Sequence, residues 1–196
     1  DLDRSLNPQA VHDHLRRLWA PAPHTMLQAV KKLEPGMAMR VANGAVTRRW
    51  RHYDLPIRVE KPARTTAQAA EAVRAGLATA VERQMAADVE VGAFLSGGLD
   101  SSTVVAFAQK TRAQSPLPCF TISLDGHDWR EEGMADDLPY AREVARHLGV
   151  TLTELRVGKE MADDFETLIY HLDEPQADPA PLNALYIARA ARAQGV

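Results

Sequence analysis

The stretch from Asp88 to Ser102, DVEVGAFLSGGLDSS, constrains the fold more than any other part of the chain. Val89, Val91, Ala93, Phe94 and Leu95 form a short apolar run of strand-like composition. Ser96-Gly97-Gly98-Leu99-Asp100-Ser101-Ser102 breaks it, and Thr103–Ala108 then reads as the buried face of a helix. A strand, a glycine turn and a helix N-terminus in that order make a seat for an anion. The first-turn N–H groups have no partner inside the helix, and the helix dipole puts partial positive charge there. Gly97 and Gly98 let the backbone come close to a phosphate that a Cβ would hold away. Asp100 adds a carboxylate at the same spot, which suits an anion only with a hard cation such as Mg²⁺ between the two. Other loop chemistries fail on residues. The chain has no G-x-x-x-x-G-K-[ST] and no G-x-G-x-x-G, and a nucleophile elbow would put glycine where Phe94 stands. A tight turn with Asp100 or Ser101 as a helix cap accounts for two adjacent glycines, but not for the whole heptapeptide.

SGGLDSS resembles the pyrophosphate-binding loop of the N-type ATP pyrophosphatases, and the surrounding chain is similar to the synthetase domain of glutamine-dependent asparagine synthetases. The resemblance implies an α/β fold with a parallel sheet and flanking helices, of the adenine nucleotide alpha hydrolase-like, Rossmann-like kind. It implies ATP and Mg²⁺ as cofactors. The enzyme would adenylate a carboxylate, most simply the aspartate side chain, release pyrophosphate, and let ammonia from a glutaminase domain displace AMP. The amides of Gly97, Gly98 and Leu99 and the hydroxyls of Ser96, Ser101 and Ser102 would hold the β- and γ-phosphates, and Asp100 would bind Mg²⁺. Leu95 and a backbone group at Ile122 would meet the nucleotide. No protein nucleophile is expected, because the substrate carboxylate attacks the α-phosphorus.

Two other stretches carry the resemblance. HLDEPQADPAPL is similar to a family segment bordering the active site, which offers Asp173, Glu174 and Asp178 for orienting ammonia or substrate. The same residues beside prolines also suit helix ends and turns. APAPHTMLQAVKKLEPGMAMRV resembles the end of a glutaminase domain. Two departures leave the acceptor open: Leu152 and Thr153 stand about where many family members carry a histidine, and the loop Asp125–Asp137 is longer and more acidic. A sugar acid or a ring-closing β-amino acid would suit the same chemistry. A tRNA-thiolating pyrophosphatase fits poorly with one cysteine and an acidic balance, and a non-catalytic ATP-binding or association fragment is the non-enzyme alternative.

The length of 196 residues allows one ordinary domain and a smaller piece. Residues 1–56 read as the end of a glutaminase-like domain, 57–64 as a linker and 65–196 as the first part of the synthetase domain. In the first piece, Asn7-Pro8 opens a helix with Val11, Leu15, Leu18 and Trp19 on one face. His12 and His14 point to different sides of it and read as surface residues. Thr25–Lys32 reads as extended, and Asn43-Gly44 as the turn of a hairpin. Beyond the linker, Thr65-x-x-Gln68 is a capping box, and Val73, Leu77, Val81 and Met85 form a core stripe. Leu117–Leu124 and Thr151–Val157 read as further strands, with Cys119 an inert core thiol. Tyr140, Val144 and Leu148 are the expected inner face of the helix between them, capped by Asp136 or Asp137 and stopped by Gly149. Phe165, Leu168, Ile169 and Leu172 mark another amphipathic helix, and Leu182–Ala193 a last one before Gly195.

A net charge of −3 argues against nucleic acid as a partner, and no apolar run approaches the length of a membrane span. The expected setting is cytoplasmic, the partners are a small carboxylate and ammonia from a glutaminase domain, and the one assembly considered is a homodimer. Neither an N-terminal cysteine nor a second Ser-Gly loop on the ATP is found, so the sequence reads as an interior fragment holding one side of an ATP site.

Overall fold

The computed structural model describes residues 2–57, 64–112, 115–124, 136–176, 178 and 180–196. Most of the expected linker (58–63) and most of the acidic loop (125–135) lie outside the described residues. In chain order the elements are α1 (Pro8–Arg17), β1 (Met37–Ala42), β2 (Ala45–Arg51), α2 (Thr66–Gln84), β3 (Ala93–Phe94), α3 (Leu99–Thr111), β4 (Pro118–Leu124), α4 (Leu138–Leu148), β5 (Thr151–Val157), α5 (Phe165–Leu172) and α6 (Ala180–Ala193), with a 3₁₀ turn at Lys159–Asp164. They fall into two compact units, Asp1–Pro62 with Glu166–Pro179, and Ala63–Phe165 with Ala180–Val196. Among the described residues no helix is long and apolar enough to cross a membrane.

In the first unit the local rules hold well. The Asn7 side chain accepts from the amides of Gln9 and Ala10, and Pro8, which has no amide to leave unpaired, follows it. β1 and β2 pair antiparallel around Asn43 at φ 50° and Gly44 at φ 74°, the two left-handed residues that a type I′ turn requires. Three expectations are corrected. Thr25–Lys32 is not extended but folds around the buried Thr25 hydroxyl, which accepts from the Leu27 amide at 3.1 Å and lies 3.0 Å from the carbonyls of both Leu27 and Val30. A side chain there takes over hydrogen bonds that a strand would have placed in a ladder. The apolar face of α1 is not packed: Ala10 is buried, whereas Leu15 is 77% exposed and Leu18 and Trp19 are exposed too. His12 is exposed as expected, but His14 is half-buried, with its Nδ1 shut away from solvent and unpartnered.

The second unit is an α/β layer. β3, β4 and β5 lie in that order and pair in parallel, with Ala93 opposite Cys119 and Pro118–Leu124 opposite Thr151–Val157. α3 connects the first pair and α4 the second, as parallel neighbours require. β4 alternates between two cores. Leu117 and Cys119 join Val105 and Ala108 of α3, Ala141 and Ala145 of α4 and Val81 of α2. Phe120 and Ile122 face the other way, onto Ile187 and Ala191 of α6. Side chains on a strand point to opposite faces in turn, so one central strand serves both layers.

The ends of the elements are fixed by specific contacts. The Thr65 hydroxyl accepts from the Gln68 amide at 3.2 Å and the Gln68 side chain accepts from the Thr65 amide at 3.0 Å, completing the capping box of α2. Gly149 stops α4 at φ 67°. At the other end Asp137 takes the cap position, while Asp136 accepts from the Leu138 amide at 3.0 Å. Arg142 of α4 holds Glu154 of β5 through two contacts of 2.6 Å.

Three expectations change here. The strand expected over Val89–Leu95 is only two residues long, although the Leu95 amide still reaches the Phe120 carbonyl at 2.9 Å. Residues 90 and 91 are instead held by Arg112, which donates to the Glu90 carboxylate at 2.6 Å and to the Val91 carbonyl at 3.3 Å. In α2 only Val81 is buried, with Met85 packed beside it. Val73 is 61% exposed, because the N-terminal turns of α2 and α3 flank an open groove rather than a closed core. In α4 the expected Val144 and Leu148 do pack against the core beside the buried Ala141 and Ala145, but Tyr140 is exposed, because its position turns away from the α3 and sheet contact that Ala141 makes.

Cys119 is fully buried, and burial pushes its thiol up to about 11. A raised value means less thiolate at any given pH, and the thiolate is the reactive form. At pH 8 a disulfide reagent is therefore expected to label Cys119 no faster than unfolding exposes it, and quickly once urea is added. Free-thiol kinetics without denaturant would show the packing of β4 to be wrong.

Candidate functional site

The heptapeptide sits where the sheet hands over to α3. Leu95 is 1% exposed and hydrogen-bonded to β4, so the turn that follows is anchored in the core. Ser96 and Gly97 make the turn, Gly98 is the N-cap residue of α3, and Leu99-Asp100-Ser101-Ser102 form its first turn. Gly97 has φ 80°, and a Cβ built on it would lie 2.5 Å from the Ala141 amide nitrogen and 2.6 Å from the Tyr140 Cβ. Glycine is required there twice over, by conformation and by the closeness of α4. Gly98 is different. Its φ of −67° suits any residue, and a Cβ on it would meet only the Ser96 hydroxyl, at 3.3 Å. The space in front of Gly98 is open.

No side chain caps α3. The Ser102 amide makes the first helical bond, to the Gly98 carbonyl at 3.0 Å, while the amides of Leu99, Asp100 and Ser101 find no acceptor among the described residues. α1 and α2, by contrast, both satisfy first-turn amides with their own side chains. The hydroxyls turn inward on one another: Ser96 Oγ lies 3.0 Å from Ser101 Oγ and accepts from the Gly98 amide at 3.3 Å, and Ser101 Oγ donates to the Gly98 carbonyl at 3.2 Å. Ser102 Oγ is buried and has no partner. Donors without acceptors at a positive helix end are the arrangement that receives a phosphate or carboxylate.

The structure distributes the sequence-predicted residues over three places. Leu95, Ser96 and Ile122 share a cavity of about 260 Å³ at the ends of β3 and β4, walled by Phe94, Phe120 and Ile187. Leu99 and Asp100 line a separate and larger groove of about 800 Å³ between α2 and α3, with Val73, Leu77 and Phe107. We place the candidate site at the smaller cavity, because the larger groove is apolar apart from Asp100, Thr103 and Arg74 and the turn does not open into it. Asp100 is exposed and makes no hydrogen bond or ion pair with a described residue. Asp173 and Glu174 belong to the other unit, where they line a cavity of about 520 Å³ with Lys32, Thr25 and Trp19. Asp173 takes the left-handed position after α5 at φ 59°, a helix-ending role. Glu174 pairs with Lys32, which also donates to the Ala20 carbonyl at 2.6 Å, and its Oε1 is buried without a partner. Asp178 is exposed.

Three polar residues at the smaller cavity carry no motif: Thr121 on β4, Asp137 at the start of α4 and Asn183 on α6. Thr121 was traceable in the strand pattern. The other two come to the cavity only through the way α4 and α6 cover the sheet.

A parallel sheet whose first connection is a glycine turn into an uncapped helix makes this unit a parallel α/β layer with an open helix end at the carboxyl end of its first strand. Residues 72–196 match the family model described as Asparagine synthase, and the chain belongs to that family. It is 26% identical over 194 residues to glutamine-hydrolyzing asparagine synthetase 1 of Bacillus subtilis, covering 97% of this chain and 29% of that protein. It is 28% identical over 193 residues to Amidase chyE of Penicillium rubens, covering 91% of this chain and 28% of the relative. Among solved structures, NMN synthetase from Francisella tularensis aligns with a TM-score of 0.43 at 17% identity, over 64% of this chain and 51% of that one. The chain thus spans less than a third of the length of these two curated relatives.

The two glycines separate conformation from function. Gly97→Ala should lower stability by about 1–3 kcal/mol, since it forces both a left-handed residue and a backbone contact. Gly98→Ala should lower it by no more than about 1 kcal/mol, the ordinary difference between glycine and alanine at an N-cap, yet weaken pyrophosphate binding measured by calorimetry. Equal losses of stability in the two variants would contradict the geometry of the turn.

Proposed function

We propose that this chain supplies the pyrophosphate-holding side of the ATP site in an amide-forming synthetase. The observation that carries the reading is the uncapped first turn of α3, with three amides lacking acceptors directly after a buried strand end. In this reading the amides of Leu99, Asp100 and Ser101 receive the β- and γ-phosphates, and the amides of Gly97 and Gly98 add to them. The Ser96 and Ser101 hydroxyls exchange their mutual bond for phosphate oxygens, and Leu95 and Ile122 flank the nucleoside. Donors fixed before the reaction stabilise charge as it develops on departing pyrophosphate, typically about 10²–10³ in rate for each. The substrate carboxylate attacks the α-phosphorus, the bond to the β-phosphate oxygen breaks, and ammonia then displaces AMP to leave the amide.

The residues present fit Mg²⁺. Among the described residues no three of His, Cys, Asp or Glu converge, and Asp100 offers a lone unpaired carboxylate beside the phosphate seat. Mg²⁺ commonly takes one or two carboxylates and fills its remaining positions with phosphate oxygens and water. When bound it would neutralise phosphate charge and ease departure of the leaving group. Without a cation, Asp100 would repel the anion that the helix end attracts.

Residues 1–56 fit the end of a glutaminase-like domain that would deliver ammonia, and residues 65–196 the start of the synthetase domain. Asp173, Glu174 and Asp178 remain candidates for the substrate side. Aspartate is the simplest acceptor given the names of the synthetase relatives. The amidase relative keeps a second carboxylate class in view, and AMP release measured with aspartate and with alternative acids separates the two. In the full-length protein Asp100→Asn should abolish carboxylate-dependent ATP–pyrophosphate exchange and spare glutamine hydrolysis. Undiminished exchange would remove Asp100 from the metal site.

A further inference from the structure

We infer that the carboxamide of Asn183 reads the hydrogen-bonding edge of the nucleotide base in the cavity at the ends of β3 and β4. The inference rests on the ATP reading above and adds a residue that no part of the loop motif contains.

The cavity is built for a flat, mostly apolar group. Phe94, Phe120 and Ile122 supply walls from the sheet and Ile187 supplies one from α6, in a space of about 260 Å³. Ser96 lines the same cavity, so a molecule with its phosphates on the turn would bring its base here. A purine has two apolar faces and a polar rim, and burying that rim without partners is costly. Asn183 stands at the end of the first turn of α6, half-buried on the cavity lining.

What singles it out is that its side chain is unengaged. Farther along α6, Tyr186 and Arg189 are both committed to Asp164, at 2.6 Å and at 2.8 and 3.0 Å, and Gln194 is committed to Thr153. Asn183 makes no side-chain hydrogen bond to a described residue. Asparagine is also a weak helix former, so the position gains nothing in helix stability from it. A carboxamide presents a donor and an acceptor side by side, which matches the adjacent acceptor nitrogen and amino group of adenine. Asp137, the charged residue on this cavity, has only acceptors to offer when ionised and cannot complete that pair.

The test compares ATP with purine riboside triphosphate, which lacks the 6-amino group, in pyrophosphate exchange by the full-length protein. The wild type should prefer ATP. Asn183→Ala should raise KM for ATP about tenfold, the scale of one good bidentate contact, leave kcat within about twofold, and raise KM for the deaminated analogue, which keeps only the ring-nitrogen half of the contact, by clearly less. Alanine is the better helix former, so an unaltered urea midpoint is expected, and binding of inorganic pyrophosphate should be the same in both proteins. If the variant keeps the full preference for ATP, or loses affinity for both nucleotides equally, the role of Asn183 is overturned while the phosphate seat stands. If the wild type binds neither ATP nor pyrophosphate, the ATP reading itself falls.

Discussion

The open N-terminus of α3 is the feature on which the rest of the second unit depends. A helix can satisfy its first amides with its own chain, as α1 does through Asn7 and α2 through Thr65 and Gln68. α3 does not, and its cap position is held by a glycine with no side chain to offer. The neighbouring hydroxyls are spent on one another and on Gly98 rather than on the free amides. An uncapped helix end forgoes the roughly 1 kcal/mol that a capping side chain supplies. A chain selected for stability alone would have placed aspartate or serine at position 98.

The position of that helix end is set by close packing rather than by the loop. Leu95 is buried and tied to β4, and Gly97 lies against the first turn of α4 so closely that no side chain fits between. The turn is therefore held from the strand on one side and from a second helix on the other. Here the first glycine of the pair serves the fold and the second serves the opening, although they look equivalent in sequence. The Asp100 carboxylate, one residue into the helix, complements the dipole in the absence of ligand and opposes an incoming anion. The same residue thus stabilises the free protein and, in the proposed complex, would call for a cation.

Much of this was legible in the chain. Asn7-Pro8, Asn43-Gly44, Thr65-x-x-Gln68 and Gly149 are local signals, and each specified its element because the hydrogen bonds involved span only a few residues. The heptapeptide was readable for the same reason. The failures share one cause. Val73, Leu15 and Tyr140 lie on apolar helical faces, but whether such a face is covered depends on which other element reaches it, and periodicity carries no information on that. Thr25–Lys32 failed differently, because one buried hydroxyl replaced the strand pairing that its composition suggested. Asn183 and Asp137 come to one cavity from helices about forty residues apart in sequence, and nothing in either segment announces the meeting.

The division of labour across β4 gives this small unit two separately fixed features, an uncapped helix end and a cavity beside it. Leu117, just before the strand, and Cys119 within it bind it to α3 and α4, and so fix the uncapped helix end. Phe120 and Ile122, one residue out of phase, bind it to α6 and wall the cavity on the opposite face. Ligands of open parallel sheets collect beyond the carboxyl ends of the strands, where helices on the two faces diverge. Ser96 stands at that divergence: its backbone belongs to the turn, and its side chain borders the cavity. A molecule with a triphosphate at one end and a flat base at the other would bridge the two faces there, with each end recognised by a different layer.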